Sequence, residues 1–189
     1  RFRAIMGTWK TRGLRGSTLE DMINMTNESY REKGLALIQK IPTPITPINI
    51  DQSTRHITLA YFDKQSTVDY IGTVQGIPVC FDAKECSAST FPLQNIHAHQ
   101  IRFMEEFEAQ GGIAFIVLYY TGMDEIYYVP FRTIKHFWDR MEAGGRKSFT
   151  YDEIDHSWRI RAHRDMLVHY LEMIARDLEL REGLEDAET

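Results

Sequence analysis

Cysteine is scarce in this sequence and long apolar runs are missing. Only two of the 189 residues are cysteine, Cys80 and Cys86. Neither lies in a C-x-x-C pair or a Cys/His cluster, which excludes a disulfide framework and a zinc site. We expect reduced thiols in a cytoplasmic protein. The longest apolar stretch, Ile113 to Tyr120, is far too short to span a bilayer. The first residues hold no apolar run like a signal peptide, and the start at Arg1 rather than Met reads as a trimmed product. No membrane partner is expected.

Positive charge is also in short supply: 22 Lys and Arg against 27 Asp and Glu leave a net −5, which argues mildly against a polyanionic partner. The charge is unevenly spread, however. Arg1, Arg3, Lys10, Arg12 and Arg15 precede the first acidic residue, Glu20, while Asp177, Glu179, Glu182, Glu185, Asp186 and Glu188 crowd the C-terminus. An acidic tail of this kind hides a basic working face in the total.

What is present suffices for one core, and we expect a single domain over 17–180, with a basic arm at 1–16 and an acidic tail at 181–189. Leu19, Ile23 and Tyr30 predict a helix from Ser17 that stops near Gly34, whereas Leu35–Ile38 is too short to assign. Pro42, Pro44 and Pro47 forbid helix, and Arg55–Phe62 is strand-like, so 42–66 projects as a loop or hairpin. Strands at Thr67–Val74 and Ile77–Glu85 flank a Gln75-Gly76 turn. A helix is expected at Phe91–Ala109. The run Ile113–Leu118 has the look of a strand covered on both faces. A strand at Glu125–Pro130, a helix at Phe131–Ala143 and a closing helix at about Asp165–Leu180 complete an α/β fold with a mixed central sheet flanked by helices. Phe103, Phe107, Phe131, Phe137 and Trp138 are assigned to packing.

Strand alternation puts Val79, Phe81 and Ala83 on a core face and Cys80, Asp82 and Lys84 on the other. If Asp69 lies on the preceding strand, the hairpin brings its carboxylate beside Asp82. Two carboxylates and a lysine then converge, which suits a magnesium ion that activates water for attack on a phosphoryl group. The alternative is an ordinary solvated Asp-x-Lys pair. Glu20 closes a capping box, Ser17-Thr18-Leu19-Glu20. His97 and His99 are expected to face solvent. Gly144-Gly145-Arg146-Lys147-Ser148 is either a solvated turn or a phosphate contact.

Several segments, in order, resemble one family: Arg15-Gly16-Ser17-Thr18-Leu19-Glu20, Lys40-Ile41-Pro42-Thr43-Pro44, Ser66-Thr67-Val68-Asp69-Tyr70, Asp82-Ala83-Lys84-Glu85, Phe91-Pro92-Leu93-Gln94-Asn95 with His99-Gln100, and Phe137-Trp138-Asp139-Arg140. The chain resembles the RecU-type Holliday-junction resolvases of the PD-(D/E)xK nuclease superfamily, a restriction-endonuclease-like fold. The resemblance implies a homodimer that binds four-way junction DNA and nicks two strands, with Mg2+ as cofactor and Mn2+ as a substitute. It makes Asp69 and Asp82 metal ligands, Lys84 the catalytic lysine, Glu20 a helix carboxylate at the site and Gln100 its support. It makes 42–66 a shortened stalk and Arg15, Lys40, Arg55, Arg146 and Lys147 DNA contacts. Recombinase or branch-migration proteins are its implied partners. Asp82 stands where this family usually has Glu, and Val68 replaces a polar residue. A non-catalytic accessory protein of the same fold and a sequence-specific duplex endonuclease are the alternative functions.

Overall fold

The computed structural model describes residues 18–62 and 67–188. The 1–16 arm, with Arg15, lies outside the described residues. Helix α1 (Leu19–Glu32) starts at Thr18, whose Oγ1 accepts from the Asp21 N–H at 3.3 Å while Asp21 Oδ2 accepts from the Thr18 N–H at 3.0 Å. The capping box is therefore Thr18 with Asp21, one residue beyond the expected Ser17 with Glu20. Glu20 is released from that duty.

Strand β1 (Leu37–Lys40) resolves the unassigned run. Among the described residues, strands β2 (Ile45–Asp51) and β3 (His56–Phe62) pair only with each other, antiparallel, with register shifts around Asn49. The described part of the expected 42–66 projection thus holds a hairpin, and Arg55 sits in its turn with φ +58°. Strands β4 (Tyr70–Val74) and β5 (Ile77–Cys86) form the expected tight hairpin, where Gln75 and Gly76 both take positive φ, 49° and 91°.

The expected helix from Phe91 begins later. Thr90–Pro92 is a short strand, β6, and α2 spans only Ala98–Ala109. Phe91 prefers an extended path because it stacks on Phe149 at 5.1 Å across the pairing with β9 (Ser148–Thr150). Strands β7 (Ile113–Tyr120) and β8 (Glu125–Pro130), helix α3 (Phe131–Glu142), strand β10 (Arg159–Ile160) and helix α4 (Leu171–Glu188) follow. Helix α4 starts later and runs further than expected. Its Asp177 belongs to no solvated tail: it is fully buried and accepts from the Tyr128 hydroxyl at 2.6 Å, with Arg132 and Arg181 as ion partners.

The central sheet runs β1-β4-β5-β7-β8-β10, with only β5 and β7 parallel. The chain between those two strands must cross a face of the sheet, and α2 does so. Helices cover both faces. On one, Cys80, Ile116 and Leu118 pack with Ile101, Met104, Ile134 and Phe137; on the other, Phe81, Phe115 and Val117 pack with Leu19, Ile23, Tyr170 and Ile174. Both thiols are free and buried. Cys80 and Asp82 therefore do not share a solvated face: α2 covers it.

An aromatic stack fixes the register. Tyr70 lies on Phe81 at 4.7 Å, Phe81 on Phe115 at 4.8 Å and Phe115 on Tyr128 at 4.3 Å. Such cross-strand pairs oppose a one-residue slip, which would move every side chain to the wrong face. Among the described residues, no helix is long and apolar enough to cross a membrane.

Candidate active site

Tyr70 opposite Phe81 is the last pair of the β4–β5 ladder, and one residue beyond it on each side lie Asp69 and Asp82. Asp69 lies just before β4, and the two residues clasp each other: the Asp69 N–H donates to Asp82 Oδ1 at 3.0 Å, and the Ala83 N–H donates to Asp69 Oδ2 at 2.8 Å. On its other side the Asp69 carbonyl accepts from the Ile41 N–H at 2.7 Å. Two residues along β5 on the same face, Lys84 places Nζ 2.6 Å from Asp82 Oδ2. Gln100, on the first turn of α2, donates from Nε2 to the same oxygen at 3.0 Å. The convergence expected for Asp69, Asp82, Lys84 and Gln100 is present.

Asp82 is fully buried and Asp69 partly so. Burial first, and the facing Asp82 second, push the Asp69 carboxyl up to about 6, although the Ala83 N–H and Lys84 act to lower it. The pair is short of positive charge. A cleft of about 790 Å³ opens beside it, lined by Glu20, Lys40, Asp69, Lys84 and Gln100. Glu20 forms an ion pair with Lys40 across that cleft. Asp82 lies beneath the cleft rather than in its wall.

Oxygen donors and an unbalanced pair of acids fit a hard divalent cation, which takes one or two carboxylates and completes its shell with water and phosphate oxygens. No group of three His, Cys, Asp or Glu side chains among the described residues is placed to hold a metal unaided. A soft or zinc-type centre does not fit.

The expected DNA contacts scatter. Lys40 is in the cleft, Arg55 is exposed in the hairpin turn, and Arg146 and Lys147 are exposed between α3 and β9, Arg146 within 3.9 Å of Glu153. Two features escaped the sequence. Glu85 Oε1 accepts from the Leu19 N–H at 3.0 Å, pinning the start of α1 to β5 and so bringing Glu20 to the site. His97, exposed as expected, and His99, half-buried, both line the cleft.

A carboxylate pair and a lysine, with Asp82 buried and Asp69 and Lys84 at the cleft, have the chemistry of a divalent-metal-dependent nuclease site. The family model described as Recombination protein U, RecU, matches residues 14–176. The chain belongs to the RecU family. It is 47% identical over 145 residues to Holliday junction resolvase RecU of Geobacillus kaustophilus (strain HTA426), covering 75% of this chain and 72% of that protein. It is 42% identical over 147 residues to Holliday junction resolvase RecU of Geobacillus sp. (strain WCH70), covering 76% and 73%. A solved structure of Archaeoglobus fulgidus Hjc, a Holliday junction resolvase, superposes over 58% of this chain and 76% of that one, with TM-score 0.37 and 9% identity. That likeness is too distant to carry any part of the assignment.

Proposed function

We propose that this chain is a homodimeric endonuclease that resolves four-way DNA junctions by paired nicks. The observation that carries the reading is the clasp of Asp69 and Asp82 with Lys84 and Gln100, beside an open cleft, in a member of the RecU family. Asp69 and Asp82 would hold a magnesium ion, with manganese as a substitute; once bound, such an ion polarises the phosphoryl group and makes its water a better nucleophile.

The protein's own residues do the rest. Reciprocal backbone bonds fix the two carboxylates before substrate arrives, so little reorganisation is left to the reaction. Gln100 orients Asp82, and Lys84 stabilises charge that develops on the phosphoryl oxygens. Asp82, one methylene shorter than Glu, sits under Lys84 and Gln100, which hold its carboxylate in place.

Two-fold symmetry would set two such sites against a pseudo-symmetric junction. The β2–β3 hairpin then acts as the stalk at the junction centre, with Arg15, Lys40, Arg55, Arg146 and Lys147 contacting phosphates. Bacterial DNA lies in the cytoplasm, and so would this enzyme. A recombinase or a branch-migration protein is the class of partner this activity calls for.

The test is a synthetic four-way junction and duplexes of the same sequences, incubated with Mg2+ or Mn2+ at low salt. Symmetric nicks in the junction and intact duplexes are expected, with Asp69→Asn binding but not cutting. Junctions left whole with both metals sink the proposal, and equal cutting of duplexes makes the chain a duplex nuclease.

A further inference from the structure

His97 and His99 stand in the cleft beside the catalytic cluster. Two residues apart inside a helix point in different directions. His97, however, is the last residue before α2, in extended conformation with φ −88° and ψ 148°. Its ring can therefore lie parallel to that of His99: the centroids are 5.4 Å apart and the planes differ by 9°. Apart from this stacking, the His99 imidazole has no partner among the described residues.

The pair is anchored to the chemistry. The His97 N–H donates to Gln100 Oε1 at 3.0 Å, and the same glutamine donates from Nε2 to Asp82 at 3.0 Å. One side chain thus sets the turn that carries both imidazoles against the buried carboxylate. The cleft's lysines are engaged, Lys40 by Glu20 and Lys84 by Asp82. The imidazoles are left as side-chain N–H donors that no carboxylate holds, and imidazole keeps an N–H donor whether neutral or charged. The titratable groups that share the cleft with them are Glu20 from α1, Lys40 from β1, Asp69 before β4 and Lys84 from β5.

We infer that His97 and His99 are positioning residues: together they grip a phosphate of the substrate strand next to the scissile bond and so seat that bond at Asp69 and Asp82. The inference rests on the nuclease reading above. A phosphodiester accepts hydrogen bonds from such donors through its non-bridging oxygens, and a contact of this kind fixes register without reading sequence.

The full chain is tested on a synthetic four-way junction with Mg2+ under single-turnover, saturating conditions. Binding is read in EDTA and folding by thermal melting. Combining His97→Ala with His99→Ala is expected to slow cutting about a hundredfold, the cost of misplacing a reacting bond by about an ångström. EDTA binding and melting temperature should hardly change. His99→Asn, which keeps an N–H donor, should recover most of the rate, and His99→Phe, which keeps only a stacking face, should not. The inference is overturned if the double variant cuts like the parent. Rescue by Phe as good as by Asn overturns it in favour of a base-stacking platform, and a rate loss that tracks a lowered melting temperature without rescue by Asn overturns it in favour of a structural role. If the parent itself does not cut, or Asp69→Asn cuts equally well, the nuclease reading is what fails.

Discussion

Around Asp82 both carboxylate oxygens have partners, supplied by the Asp69 N–H, the Gln100 amide and Lys84. On the β2–β3 hairpin, Ile45, Ile48, Ile50, Ile57, Leu59 and Tyr61 are each about half exposed, and among the described residues the two strands pair with nothing but each other. An isolated hairpin is marginal in water, and an apolar ribbon left bare is the mark of a surface that something covers. The contrast is between two kinds of environment: the Asp82 cluster is over-determined by the sheet and α2, whereas the hairpin leaves its apolar side chains bare.

The largest expected effect comes from breaking the cleft side. Lys84→Ala should slow junction cutting by roughly a hundred to a thousandfold, the scale of losing one electrostatic group at developing charge. It should also lower stability by about 3 kcal/mol, because Asp82 is left buried with its charge unpaired. Cleavage assays and urea melts check both, and an unchanged melt would mean that the clasp is not what holds this region.

The hairpin should behave in the opposite way. Ile48→Ser with Leu59→Ser is expected to change domain stability by only about 0.5 kcal/mol, as surface substitutions do. Junction affinity should fall about tenfold, or about 1.4 kcal/mol. A large drop in melting temperature with affinity intact would reverse the comparison.

A smaller effect sharpens it. The Asp69 carboxyl is raised to about 6, so the folded chain holds that proton more tightly than the unfolded one. Its contribution is fully present below the ordinary carboxylate range and is lost as pH rises through about 6. Asp69→Asn keeps an acceptor for the Ala83 N–H and removes the charge. Without metal it should therefore be more stable than the parent at pH 8 by about 1 kcal/mol, after discounting for solvent screening. The difference should vanish near pH 4, and a constant difference across pH would mean that Asp69 is not charge-strained.

Smallest of all, neutralising Arg146 or Lys147 should flatten the salt dependence of junction binding by about one unit each. An unchanged slope would confine recognition to the hairpin and the cleft.

The meeting of Asp69, Asp82 and Lys84 was legible because its geometry is local. A tight turn at Gln75-Gly76 and the two-residue period of a strand suffice to bring Asp69 beside Asp82 and to set Lys84 on the same face. The helix cap was misplaced by one residue, since Ser17-x-x-Glu20 and Thr18-x-x-Asp21 are equivalent patterns and only the backbone chooses between them. Phe91 read as helical because apolar spacing says nothing of its partner Phe149, far along the chain.

From the sequence alone, then, came the α/β class, the projecting segment, the carboxylate pair and its lysine, and the family. These depend on alternation, turn residues and short motifs, all of them local. Only the tertiary structure decided that Asp82 is buried, that Glu20 is free to pair with Lys40, and that Gln100 ties two stacked histidines to the site. Each of those depends on α1 and α2 packing over strands distant in sequence, and burial and charge partners are set by what the folded chain brings from elsewhere.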